Sequence, residues 1–124
     1  MYKVLVVDDA RAVRMILSKL LLEQGFDVLQ AASAKEALAV MSREGTSVGL
    51  ALIDWNMPEM TGLDLVHRLR AAPAYRDLQI MMVTTETEIE QVCSALEAGV
   101  NEYLMKPFTR EAVRDKLRLM GAIR

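Results

Sequence analysis

Residues 50–62 read LALIDWNMPEMTG, and the fold turns on how that stretch divides. Leu50-Ala51-Leu52-Ile53 is apolar at every position, not at every second one, which is the signature of a strand covered on both faces. Asp54 then sets a carboxylate at the end of that run. Met57, Pro58 and Gly62 carry the chain away in a loop, since proline and glycine are the strongest local punctuation a sequence has.

Working outward, similar short runs recur at Val4 to Val7, Phe26 to Gln30, Val48 to Ile53 and Gln79 to Val83, with a weaker one at Glu102 to Met105. These predict five strands. Between them apolar residues fall at helical spacing. Val13, Ile16, Leu17, Leu20 and Leu21 mark a first helix, and Ala37, Leu38 and Met41 a second. A third spans Leu63 to Ala71. The fourth runs from Thr87 to Ala98 with Ile89, Val92, Cys93 and Leu96 on one stripe, and the fifth from Arg110 to Met120. Ser33-Ala34-Lys35-Glu36 and Thr87-Glu88-Ile89-Glu90 have capping-box form and mark helix starts. Gly25, Gly45 and Gly99 sit where left-handed residues close last turns. Strict alternation of strand and helix predicts an α/β fold, a doubly wound parallel sheet with helices on both faces.

The 124 residues fit a single domain, residues 1–124, large enough for its own core. A net charge of −2 with 26% charged residues excludes a polyanion-binding scaffold. The basic residues of the fifth helix, Arg110, Arg114, Lys116 and Arg118, alternate with Glu111 and Asp115. They read as a solvated face, so no nucleic acid is expected. One cysteine, Cys93, excludes an internal disulfide framework and fits a reducing compartment. The first apolar run is too short for a signal sequence or a membrane span, so a cytoplasmic protein with no membrane partner is expected.

In an open parallel sheet, functional groups gather at the carboxyl ends of the strands. Here those ends carry Asp8-Asp9, Asp54, Thr84-Thr85 and Lys106-Pro107, while strand two ends in the bland Gln30-Ala31-Ala32. Two carboxylates about 4 Å apart at an effective dielectric near 20 repel by roughly 4 kcal/mol. Either a proton stays on one acid, or a cation sits among them. An all-oxygen set with no histidine or thiolate suits Mg²⁺, which is bound through one or two carboxylates plus phosphate oxygens. Neither nucleotide-binding glycine motif occurs in the chain. What remains is small-scale phosphoryl chemistry with a carboxylate nucleophile, and Asp54 is the candidate. Cys93 reads as a small core residue, and His67, flanked by Arg68 and Arg70, as solvated.

VLVVDD, LIDWNMPEMTG, MMVTTE and YLMKPF, in that order at strand ends, resemble the receiver domain of bacterial two-component response regulators, particularly the stand-alone chemotaxis type. The resemblance covers essentially the whole chain. It implies a five-stranded (βα)5 flavodoxin-like sheet of order 2-1-3-4-5, an order taken from the family. It implies that Asp54 is the phosphoacceptor, and that Asp9 and Asp54 ligate Mg²⁺ directly with the backbone carbonyl of Asn56 while Asp8 acts through water. Lys106 and Thr84 would hold the phosphoryl oxygens, and Lys106-Pro107 would be cis. Tyr103 would swing inward as Thr84 moves. Asn56 and Glu86 would tune dephosphorylation, and Val92, Tyr103 and Met105 would lie on the partner face. Thr85, where the chemotaxis type commonly has a smaller residue, would crowd Tyr103 and weaken its coupling to phosphorylation.

The implied protein is a switch and not an enzyme beyond its own phosphorylation and dephosphorylation. A sensor histidine kinase would be the donor. A flagellar motor switch or a phosphatase would be the downstream effector, with the chain itself a monomer. The chain ends soon after its fifth helix, so output is expected through binding. Two rivals stand beside this reading: a Mg²⁺-dependent phosphatase with an aspartyl nucleophile, which would want a second acid where Asn56 stands, and a phosphate sink that does not switch.

Overall fold

The structure, a computed structural model, describes residues 2–85 and 89–124, with Ile89 described by its backbone alone. Five strands, β1 (Lys3–Val7), β2 (Asp27–Ala31), β3 (Val48–Asp54), β4 (Gln79–Thr84) and β5 (Glu102–Met105), alternate with α1 (Arg11–Glu23), α2 (Ala34–Glu44), α3 (Gly62–Ala71), α4 (Ile89–Ala98) and α5 (Arg110–Leu119). All strand pairs are parallel, and the order is β2-β1-β3-β4-β5, as the family resemblance implied. Each predicted strand is present within a residue at either end.

Side chains on successive strand residues point to opposite faces, and the core divides accordingly. Val4, Val6, Leu50, Leu52, Met81 and Val83 pack with Leu17 and Leu21 of α1 and Val113 and Leu117 of α5. Leu5, Val7, Ala51, Ile53, Ile80 and Met82 pack on the other face with residues of α2, α3 and α4, among them Val40, Leu65 and Ala95. That division explains why LALI is apolar throughout. Its odd and even members serve different helix layers.

The punctuation holds with one change. Ser33 Oγ accepts the Glu36 N–H at 3.1 Å. The full reciprocal box appears instead at an unforeseen place, where Thr61 Oγ1 accepts the Asp64 N–H and Asp64 Oδ2 accepts the Thr61 N–H. Gly99, at φ 106°, closes α4, its N–H reaching the Leu96 carbonyl and the Val100 N–H the Ala95 carbonyl. The predicted box at Thr87 to Glu90 lies partly outside the described residues.

Three side-chain expectations are corrected. Ile16 was placed on the buried stripe of the first helix but is 52% exposed, because α1 buries the line through Leu17 and Leu21. Cys93 was read as core but is exposed, and Leu96 is 52% exposed. The inward line of α4 runs instead through Gln91, the fully buried Ala95 and Ala98, spaced i, i+4 and i+7.

Arg70 ties the C-terminal end of α4 to its neighbours. Its guanidinium donates to the carbonyls of Gly99 (2.9 Å) and Tyr75 (3.3 Å) and to Asn101 Oδ1 (2.9 Å). Asn101 Oδ1 also accepts the Ile80 N–H. Among the described residues no helix is long and apolar enough to cross a membrane.

Candidate functional site

Register brings the acids together. Val7 pairs with Ile53, so Asp8 and Asp54 are the next residues on adjacent strands and emerge level at the carboxyl edge. Carboxylate oxygens of Asp8, Asp9 and Asp54 all lie within 4.8 Å of one another. Asp8 and Asp54 are 1% and 4% exposed, and Asp9 is exposed. Across β4, Thr84 pairs with Met105 and is fully buried. The Lys106 N–H donates to the Thr84 carbonyl at 2.9 Å and the Lys106-Pro107 bond is cis, as the resemblance implied. The lysine reaches back into the acids, Nζ lying 2.9 Å from Asp8 Oδ2 and 3.2 Å from Asp54 Oδ1.

Burial, first, and the neighbouring Asp8 charge push the Asp54 carboxyl above its ordinary range. Lys106 and the Asn56 backbone N–H pull it back only in part. Burial alone would lower the Lys106 ammonium, but hydrogen bonds and charge from Asp8 and Asp54 outweigh it and the pKa is raised. The pocket is therefore short of positive charge as it stands.

A hard cation fits this donor set, and the bonding divides the ligands. Both Asp8 oxygens are engaged, Oδ1 by the Ala10 N–H at 2.8 Å and Oδ2 by Lys106. Asp9 keeps an exposed carboxylate. Asp54 is engaged as well, at Oδ1 by Lys106 and by the Asn56 backbone N–H, so Asp9 is the least committed of the three acids.

The loop after Asp54 is held from below. Met57 is buried in the core under the loop, while Asn56 and Pro58 are exposed. Gly62, first residue of α3, donates its N–H to the Trp55 carbonyl at 2.9 Å. A Cβ there would overlap the Asp54 carbonyl oxygen and lie 2.9 Å from the Asp54 carbonyl carbon and 3.0 Å from Trp55 Cα. Only glycine fits without displacing the Asp54 backbone.

Of the other predicted residues, Tyr103 and Met105 are half-buried on β5, Tyr103 packing on the α2–α4 side of the core. Val92 is half-buried on α4, and His67 and Thr85 are exposed. Glu86 lies outside the described residues. Arg14 escaped the sequence reading, and Gly62, read there as a loop residue, instead opens α3. Arg14 donates to the Asp8 carbonyl at 2.7 Å, and Gly62 admits the Asp54 backbone. Neither carries a motif of its own.

A parallel sheet of this order, with three acids, a buried threonine and a lysine at its carboxyl edge, defines a doubly wound α/β domain with an acidic cluster whose donors could hold a hard cation. Residues 4–118 match the response regulator receiver domain family, and the chain belongs to it. It is 45% identical over 116 residues to a chemotaxis protein CheY homolog of Campylobacter jejuni, covering 93% of this chain and 88% of that one. It is 42% identical to chemotaxis protein CheY1 of Helicobacter pylori, covering 95% of each. Among solved structures, the chemotaxis protein CheY4 of Vibrio cholerae superposes with a TM-score of 0.89 at 35% identity, covering 96% of this chain and 98% of that one.

Proposed function

We propose that this chain is the phosphorylation-controlled regulator of a chemotaxis phosphorelay, with Asp54 as phosphoacceptor. One observation carries the reading: a buried carboxylate at a strand end, 3.2 Å from the Lys106 ammonium, with two further acids within 4.8 Å. An Asp54 oxygen attacks the phosphorus of a phosphohistidine on a sensor kinase. The P–N bond breaks, the imidazole takes a proton, and an acyl phosphate forms. Mg²⁺, held by Asp9, Asp54 and the Asn56 carbonyl with Asp8 acting through water, supplies charge neutralisation on the phosphoryl group when bound.

Lys106 moves from carboxylate to phosphoryl oxygen over a short distance, and Thr84 donates its hydroxyl to another. The inward shift of Thr84 vacates space for Tyr103. The equilibrium of the surface formed by Tyr103, Val92 and Met105 shifts as a result, and a downstream effector protein such as a flagellar motor switch or a phosphatase reads it. Thr85 weakens that coupling by crowding Tyr103. Water attack on the acyl phosphate, tuned by Asn56 and Glu86, returns Asp54 and inorganic phosphate. The chain acts as a cytoplasmic monomer.

The test is incubation with Mg²⁺ and a small acyl phosphate donor, followed by intact mass. A labile phosphoryl adduct is expected on the wild type and none on Asp54→Asn. An adduct that survives that substitution refutes the assignment.

A further inference from the structure

We infer that Arg14 is a positioning residue for the cation site, holding the loop that carries two of its three acids. The inference rests on the functional reading above. The loop Asp8-Asp9-Ala10 is closed by three hydrogen bonds. The Ala10 N–H donates to Asp8 Oδ1 at 2.8 Å, the Arg14 N–H to the Ala10 carbonyl at 3.1 Å, and the Arg14 guanidinium to the Asp8 carbonyl at 2.7 Å. The second is the opening backbone bond of α1, which any residue at 14 would make, and the Asp8 N–H is held separately by the Ala31 carbonyl at 3.1 Å; the guanidinium bond is the contribution of the Arg14 side chain itself, and it is the shortest.

Charge placement points the same way. The first turn of α1 contains no acid, and Arg11 and Arg14 stand there instead. Cations at a helix N-terminus oppose the macrodipole, so α1 accepts Arg14 at some cost to its own stability. Arg14 does not neutralise a carboxylate either, because Lys106 occupies that role and the guanidinium bonds a backbone oxygen. What the side chain fixes is the direction in which Asp8 and Asp9 leave β1. Asp9, exposed and with no secondary structure of its own, depends on that anchor for its aim.

Two physical roles for a cation at this place have opposite signs. If Arg14 acted through its charge, removing it would tighten a divalent cation, since one repulsive neighbour would be gone. If it acts by position, removing it weakens the cation, and lysine, which keeps one donor on a long stem, restores most of the affinity.

The experiment titrates wild type, Arg14→Met and Arg14→Lys with MgCl₂. It reads the fluorescence of Trp55, the chain's one tryptophan and the residue after Asp54, and in parallel the Mg²⁺-dependent rise in melting temperature. Arg14→Met is expected to bind Mg²⁺ about 10- to 100-fold more weakly, the range usual for residues that orient metal ligands. Arg14→Lys should lie within a few-fold of wild type. Arg14→Leu, which likewise has no donor, replaces Arg14→Met if the latter does not fold in EDTA. Unchanged or tighter Mg²⁺ binding in the methionine or leucine variant overturns the inference, as does a lysine variant as weak as the donor-free one. A wild type that binds no Mg²⁺ by either readout overturns the functional reading along with it, whereas a binding wild type with indifferent variants overturns this inference alone.

Discussion

Gly62→Ala should damage the loop after Asp54 without touching any side chain in the pocket. The added Cβ overlaps the Asp54 carbonyl oxygen and presses on the Asp54 carbonyl carbon and Trp55 Cα, all of them backbone atoms that no rotamer change can move. Carbon and carbonyl oxygen settle no closer than roughly 3.3 Å, so relief needs a shift on the order of 1 Å. Either the Asp54-Trp55 peptide moves or the start of α3 backs away.

The second course breaks the Gly62 N–H to Trp55 carbonyl bond, worth about 1 kcal/mol, and pulls on the Thr61–Asp64 cap. Overpacking adds about 1–3 kcal/mol. Alanine's better helix propensity returns up to about 1 kcal/mol. The net expectation is a loss of about 1–3 kcal/mol, read as a lower urea midpoint at unchanged slope. Mg²⁺ affinity should fall as well, because the displaced peptide leads directly to the Asn56 carbonyl. Wild-type stability together with wild-type Mg²⁺ affinity in Gly62→Ala would refute the reasoning.

Asp54→Asn should stabilise the metal-free protein. Because folding raises the Asp54 pKa, the folded state holds this proton more tightly than the unfolded chain, whose value is roughly 3.9. Below that value both states are protonated and the residue is neutral toward stability. As pH rises from there to the raised folded-state value, only the unfolded chain loses the proton and a penalty on folding develops, complete above the folded-state value. In EDTA the variant should therefore exceed wild type in urea midpoint at pH 7, with the advantage vanishing in acid; an advantage constant across pH would rule out this cause. For Cys93, exposure on α4 predicts prompt and complete reaction with a thiol reagent in the folded protein, and protection until denaturant is added would contradict its placement.

The strands were legible because a strand buried on both faces has to be apolar at every position, and LALI, VLVV and IMMV leave no other economical reading. The site was legible for a related reason. Strand ends are where an apolar run must stop, so Asp8, Asp54, Thr84 and Lys106 announced themselves by interrupting it. The helices were less transparent. On α4, Val92, Cys93 and Leu96 form an apolar stripe by spacing, yet the helix buries Ala95, and periodicity does not rank a larger stripe below a smaller one that fits. The roles of Arg14 and Gly62 were missed because their contributions are a bond to a backbone carbonyl and an absence of volume. Both are facts of distance between segments that the linear chain holds apart.

The tie made by Arg70 has a mechanical consequence. Two hydrogen bonds from the Arg70 guanidinium, to the Gly99 carbonyl and Asn101 Oδ1, fix the turn between α4 and β5 against α3, while a third reaches the Tyr75 carbonyl in the turn after α3. The ten residues of α4 form a rod about 15 Å long. A rod fastened at one end tilts more readily than it slides. Gly99 thus stands at the anchored end of that rod, where a rotation of about 10° would displace the far end by roughly 2–3 Å.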